Sequence, residues 1–187
     1  MSIYIFRPSE VSGGGGGETI IQGIQYGWEK YKEIQVASDV DSIAFTDLDI
    51  NTDLFYHLMA VIKNPTGSYT HYRIFVEGDV TASNYYHQYL AVDSTSVATN
   101  RANNPTCICA GAGDRSFASI YISKDPDGYF RFFSTSNEWG GSGQGLVLRS
   151  GSRAGTASNI TQISIVSDTA GGIGAGSKFV LFRYKRT

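Results

Sequence analysis

The sequence predicts an all-β fold, an antiparallel β-sandwich preceded by an N-terminal arm. Three observations carry this prediction. Charged residues make up only 17% of the chain, whereas aromatics reach 13%, with 12 Tyr and 10 Phe. Such side chains suit a pleated, half-buried surface, and the 22 Gly supply its turns. From Glu18 onward, short apolar or alternating segments follow one another between turn residues, with no convincing helix, which is the pattern of a sandwich or barrel. At 187 residues the chain is long enough for one domain with a sizeable core.

The chain opens on a short apolar segment, Ile3, Tyr4, Ile5 and Phe6, followed by "SGGGGGE". Consecutive glycines hold no regular structure cheaply, so Gly13, Gly14, Gly15, Gly16 and Gly17 read as a hinge. Residues 1–17 are therefore an arm and residues 18–187 the sandwich domain. The arm reads either as a locally packed first strand or as an assembly arm that adds to a neighbouring subunit's sheet.

The body begins with "ETIIQGIQYGW". Next, "YGWEKYKEIQV" has Glu29, Lys30, Lys32 and Glu33 at helix-like spacing, but it also alternates and reads as a strand or one short turn. After "DSIAF", the stretch "DLFYHLMAVIKN" is the clearest strand. Leu54, Tyr56, Leu58, Ala60 and Ile62 share one face, and Phe55, His57, Met59, Val61 and Lys63 the other. "NPTG" turns the chain. "SYTHYRIFVEGD" and "NYYHQYLAVD" read as the next two strands. "TCICAG" follows, and "KDPDGY" predicts a hairpin between "ASIYIS" and "YFRFF". "GLVLR", "ITQISIVSD" and "KFVLFRY" complete a set of about eleven strands.

Several chemistries are sought in the sequence and not found. The net charge of -2, with basic residues scattered except at Arg183, Lys185 and Arg186, argues against a nucleic-acid partner. No apolar run approaches the roughly 20 residues of a membrane-spanning helix. "MSIYIFRPSE" is too short for the core of a signal peptide, so synthesis in a cytosol is expected. Cys107 and Cys109 are two strand positions apart, poorly placed to bridge each other, and read as buried thiols. His57, His71 and His87 lack metal-ligand spacing. "DLDINTD" lacks the glycine and glutamate of a calcium loop and reads as a polar turn before the strong strand, and "GGIGAGSK" reverses the Lys-Ser order of a phosphate loop. "GGSGQG" breaks the nucleophile-elbow spacing. No nucleophile, base and orienting group are nominated together, so the expectation is no enzyme, no catalytic residue, no metal and no cofactor.

Two stretches carry a resemblance. "SIAFTDLDINTDLFYHLMAVIKNPTGSYTHYRIFVEGDVTASNYYHQYL" and "ITQISIVSDTAGGIGAGSKFVLFRY" resemble a strand, an Asn-Gly-Asp hairpin and a closing hairpin found in bacteriophage structural proteins. The chain departs from that pattern at Glu77, where Asn is expected, and at Phe182, where Tyr is usual. The resemblance implies a hairpin between "SYTHYRIFVEGD" and "NYYHQYLAVD", with Gly78 taking a positive φ and Asp79 capping the turn. The resemblance implies a jelly-roll module of a phage virion: a capsid decoration, head fibre or tail component, made in the host cytoplasm and located in the virion. It implies other virion proteins as partners, a homotrimer as the assembly, and an arm that docks onto the capsid lattice or a neighbour.

Two candidate contact sites follow. Tyr85, His87 and Tyr89 share a strand face, which reads either as core packing or as a subunit contact, since Tyr joins large contact area to a polar tip. Trp139, in a Gly-rich loop, reads either as folding over the sandwich edge or as a platform for glycan stacking. The second function class is accordingly a carbohydrate- or receptor-binding module for host attachment.

Overall fold

The computed structural model describes residues 26–92, 96–140 and 143–186. Two antiparallel sheets form a sandwich. The larger has eight strands in the order β1 (Tyr26–Gln35), β12 (Lys178–Arg186), β3 (Phe55–Lys63), β8 (Arg115–Lys124), β9 (Tyr129–Gly140), β10 (Gly143–Thr156), β5 (Tyr85–Val92) and β6 (Val97–Ala102). The smaller has the order β2 (Ser42–Phe45), β11 (Ile163–Ser167), β4 (Thr70–Val76) and β7 (Thr106–Ala110). A single helical turn, α1 (Ile50–Asp53), precedes β3.

The alternation read in "DLFYHLMAVIKN" is the alternation observed. Tyr56, Leu58, Ala60 and Ile62 are buried, while Phe55, Met59 and Val61 are exposed. The same period places Ile120 and Ile122 of β8, Phe130 and Phe132 of β9, and Phe179 and Leu181 of β12 against the core. From the small sheet come Phe45, Tyr72, Ile74, Ile163 and Ile165.

Four details correct the reading of the sequence. "YGWEKYKEIQV" is a strand throughout, but a bulge between Lys30 and Lys32 swaps its faces, so its alternation is not continuous. β6, "VATNRA", went unrecognised because its residues are nearly all exposed and half of them are polar. A one-turn helix, its N-cap Asp49 accepting from the Asn51 N–H at 3.2 Å, stands where a polar turn was read. β4 and β5 are not hairpin partners. Glu77 and Gly78 both have positive φ, 56° and 70°, and the Asp79 N–H reaches back to the Val76 carbonyl at 3.1 Å. The chain then crosses from the small sheet to the large one. Asp79 does cap this crossing: its carboxylate accepts from the Thr81 N–H at 3.2 Å and pairs with Arg153 at 2.9 Å. The "KDPDGY" hairpin joins β8 to β9 as read, with Gly128 at φ 90°.

Candidate functional site

The side of the large sheet that faces away from the core carries the candidate site. Registers place one residue from each strand in a continuous row across it. Lys30 of β1 stands opposite Phe182, Phe182 opposite His57, and His57 opposite Tyr121. Tyr121 then faces Phe133, which faces Ser150, and Gln88 and Arg101 close the row at β6. Four residues further along β3, about 13 Å at strand rise, a second row runs through Val61, Phe117, Asn137, Leu146, Val92 and Val97.

The two rows differ in chemistry. The first is an aromatic mosaic with polar groups at one end. His57 stacks on Tyr121 with ring centroids 4.4 Å apart, and Trp28 lies 5.2 Å from Tyr184 and 5.8 Å from His57. His57 Nε2 is 2.7 Å from the Ser119 hydroxyl, and burial among these rings pulls its pKa below the ordinary value. The second row is apolar except for Asn137. Leu146 is 55% exposed and Val97 67%, with Phe117, Val61 and Val92 also exposed. Leu90 and Met59, in the row between, add to it. Soluble monomers rarely present so wide an apolar patch without a partner.

Charge borders this face at the β1 edge. Glu33 accepts ion pairs from Lys30 and from Lys178, the latter at 2.7 Å. Charged edges of this kind discourage strand addition. At the opposite edge β6 carries Val97, Thr99 and Arg101 outward in these rows, with no strand beyond it among the described residues.

The sequence-derived candidates fall elsewhere. The arm residues Ile3, Tyr4, Ile5 and Phe6 and the hinge Gly13 to Gly17 lie outside the described residues. Tyr85 and His87 are not a surface contact: Tyr85 is fully buried and His87 nearly so. They point inward because β5 turns that parity toward the core. Tyr85 packs edge-on against Phe75 at 5.3 Å, and its hydroxyl accepts from the Val76 N–H at 3.2 Å and donates to the Asp79 carbonyl at 3.0 Å. Tyr89 shares that inner face, half-buried, 6.1 Å from His87 and beneath the Arg149 guanidinium. Trp139 lies on β9 opposite Gln144, and its side chain is outside the described residues.

Cys107 and Cys109 are buried free thiols, and burial pushes the Cys109 thiol up to about 12, which keeps it protonated and unreactive. His71 is bound to Asp168 at 3.0 Å rather than to other ligand-type side chains. No group of three metal-ligating side chains converges among the described residues.

The residues that define this face, Trp28, Tyr121, Phe133 and Leu146, were not singled out in the sequence. A signal for them existed. β3 carries large apolar residues at both parities, Tyr56, Leu58 and Ile62 on one side and Phe55, Met59 and Val61 on the other. A strand apolar on both faces belongs to a sheet covered on both sides.

No protein-family model matches this chain, and no curated protein matches it.

Proposed function

We propose that this chain is a non-enzymatic structural protein of a phage virion, a capsid decoration, head fibre or tail component, which acts by assembling with copies of itself and with other virion proteins. The observation that carries the reading is the apolar row Val61, Phe117, Leu146, Val92 and Val97, which is exposed in the single chain and runs to the open edge at β6. Burying such side chains between subunits contributes about 25 cal/mol per Å² of apolar surface. The formal net charge of -2 opposes self-association only weakly.

The strand order supports the jelly-roll part of the reading. With the β5–β6 and β9–β10 pairs set aside as insertions, β1-β12-β3-β8 lies in one sheet and β2-β11-β4-β7 in the other. Successive strands then alternate between sheets except at β4 and β7, which pair within the small sheet, and this is the strand order of the double Greek key of a jelly roll. The two stretches that carry the phage resemblance are fastened to each other. The Glu77 carboxylate accepts from the Thr161 N–H, and from the Gln162 N–H at 3.2 Å. Glu77 thus gives the departure from the expected Asn a structural use. A homotrimer is the proposed assembly, by analogy with phage appendages.

Light scattering on the full chain and on a chain lacking residues 1–17 tests this. A trimer mass for both places the assembly in the body, and monomers after truncation place it in the arm. Monomers in both samples at high concentration contradict self-assembly.

A further inference from the structure

Beside the apolar row, the aromatic row is lined by three open cavities that join into one trough. The first, of about 420 Å³, is lined by Trp28, Phe55, Tyr121, Ser123, Arg131 and Phe133. The second, of about 560 Å³, shares Phe133 and Ser150 with the first and continues over Gln88, Leu90, Thr99 and Arg101. The third, of about 250 Å³, joins both through Arg131, Ser150, Gln88 and Arg101. The trough crosses the strands from β1 to β6, seven spacings of about 4.8 Å, roughly 34 Å in all.

We propose that this trough binds an acidic oligosaccharide, with pyranose rings over the aromatic end and a sugar carboxylate at Arg101. A pyranose ring presents C–H groups on its faces and hydroxyls around its rim. It therefore needs flat apolar platforms, whose negative ring faces attract the C–H groups, and polar groups beside them. The aromatic end supplies the platforms: Trp28, Phe55, Tyr121 and Phe133 are all between 40% and 50% exposed. The other end supplies the rim partners Gln88, Ser150 and Thr99.

Charge selects the acidic class. No Asp or Glu lines any of the three cavities. Arg131 is held by Asp125 at 2.8 Å, which fixes its guanidinium and offsets its charge. Arg101 is exposed, lies over the Tyr86 ring at 5.7 Å, and has no ion-pair partner among the described residues. An oriented, uncompensated guanidinium beside neutral hydrogen-bonding groups is matched by a carboxylate, which it can grip with two parallel bonds. A protein partner resembling the neighbouring row would leave Gln88, Ser150 and Arg101 unpaired.

The test is calorimetric titration of the full chain with four hexasaccharides: hexagalacturonate, hexasialate, maltohexaose and cellohexaose. At least one acidic probe binds, and tighter than either neutral one. Arg101→Gln lowers that affinity about tenfold, as expected for a hydrogen bond to a charged group, and removes the preference for the acidic probe. Trp28→Ala, on an edge strand with its ring half-exposed, lowers the affinity at least about tenfold while the circular dichroism spectrum is unchanged. The proposal is overturned if no acidic probe binds, if neutral and acidic probes bind alike, or if binding survives both substitutions. It is also overturned if Trp28→Ala changes the oligomer mass and no probe binds, because the trough is then a subunit contact. A failure of the self-assembly reading leaves these binding outcomes unaffected.

Discussion

Arg149 and Glu138 form an ion pair inside the sandwich, with Arg149 Nη2 3.0 Å from Glu138 Oε2 and both side chains almost wholly buried. The pair closes a sheet edge. β7 is the outer strand of the small sheet, and its Cys109 N–H donates to Glu138 Oε1 at 3.0 Å. Ser136 donates to the same oxygen at 2.6 Å, and Ser134 of β9 donates to the Cys107 carbonyl at 2.8 Å. Side chains of the large sheet thereby satisfy backbone groups that a fifth strand, added beyond β7, would otherwise take.

Removing one member of this pair strands the other. Glu138→Ala leaves a buried guanidinium and a buried backbone N–H without their acceptor, and is expected to cost about 3–5 kcal/mol. The double change Glu138→Leu with Arg149→Met removes both charges and restores most of that loss. Urea unfolding of the three proteins at one pH checks both expectations.

Tyr85→Phe tests the crossing between sheets. Its hydroxyl is the acceptor for the buried Val76 N–H, and the substitution leaves the ring packing against Phe75 and Phe130 in place. The expected loss is about 1–3 kcal/mol, the cost of an unsatisfied buried donor, read as a lower urea midpoint with an unchanged slope.

Gly151 lies where β10 passes under Phe132. A Cβ there would come within 2.3 Å of Phe132 Cε1 and 2.5 Å of the Tyr86 carbonyl. Gly151→Ala is expected to destabilise by about 1–3 kcal/mol through overpacking. Gly155, with nothing near its added Cβ, is the control position, where Ala is tolerated.

The histidines set a pH dependence. Burial pulls both His57 and His87 below the ordinary value of 6.5. As pH falls below that value the unfolded chain takes up protons before the folded one does. Their contribution to stability is therefore complete above about pH 6.5 and is lost as pH falls through the folded pKa values. Glu33, held down to about 2 by its bonds from Lys178 and Lys30, acts only at lower pH. The urea midpoint should fall between pH 7.5 and 5.5, and His57→Gln should flatten that fall.

The fold class was legible because it rests on local signals. The two faces of β3, the Asp-Gly turn before Tyr129 and the buried thiols of β7 all follow from side-chain period or turn chemistry within a few residues. What was not legible depends on pairing at long range. The bulge at Lys30–Lys32 exists to keep Ile34 against the core while Trp28 faces out, and only the register with β12 reveals it. The Tyr85 crossing looked like a hairpin because its turn residues fit one. The outer face was missed for a related reason: Phe117, Leu146 and Val97 are far apart in sequence and form a row only once the five strands β8, β9, β10, β5 and β6 are in register.

Self-assembly, as proposed, buries this row between copies of the chain. The most direct measurement is the solution mass of the full chain carrying Leu146→Glu and Phe117→Glu, compared with the unchanged chain by light scattering. Both side chains are exposed in the single chain, so the double variant should keep its circular dichroism spectrum. Burial of the row between copies predicts a trimer for the unchanged chain and a monomer for the variant. A variant that keeps the unchanged chain's oligomer mass would contradict it.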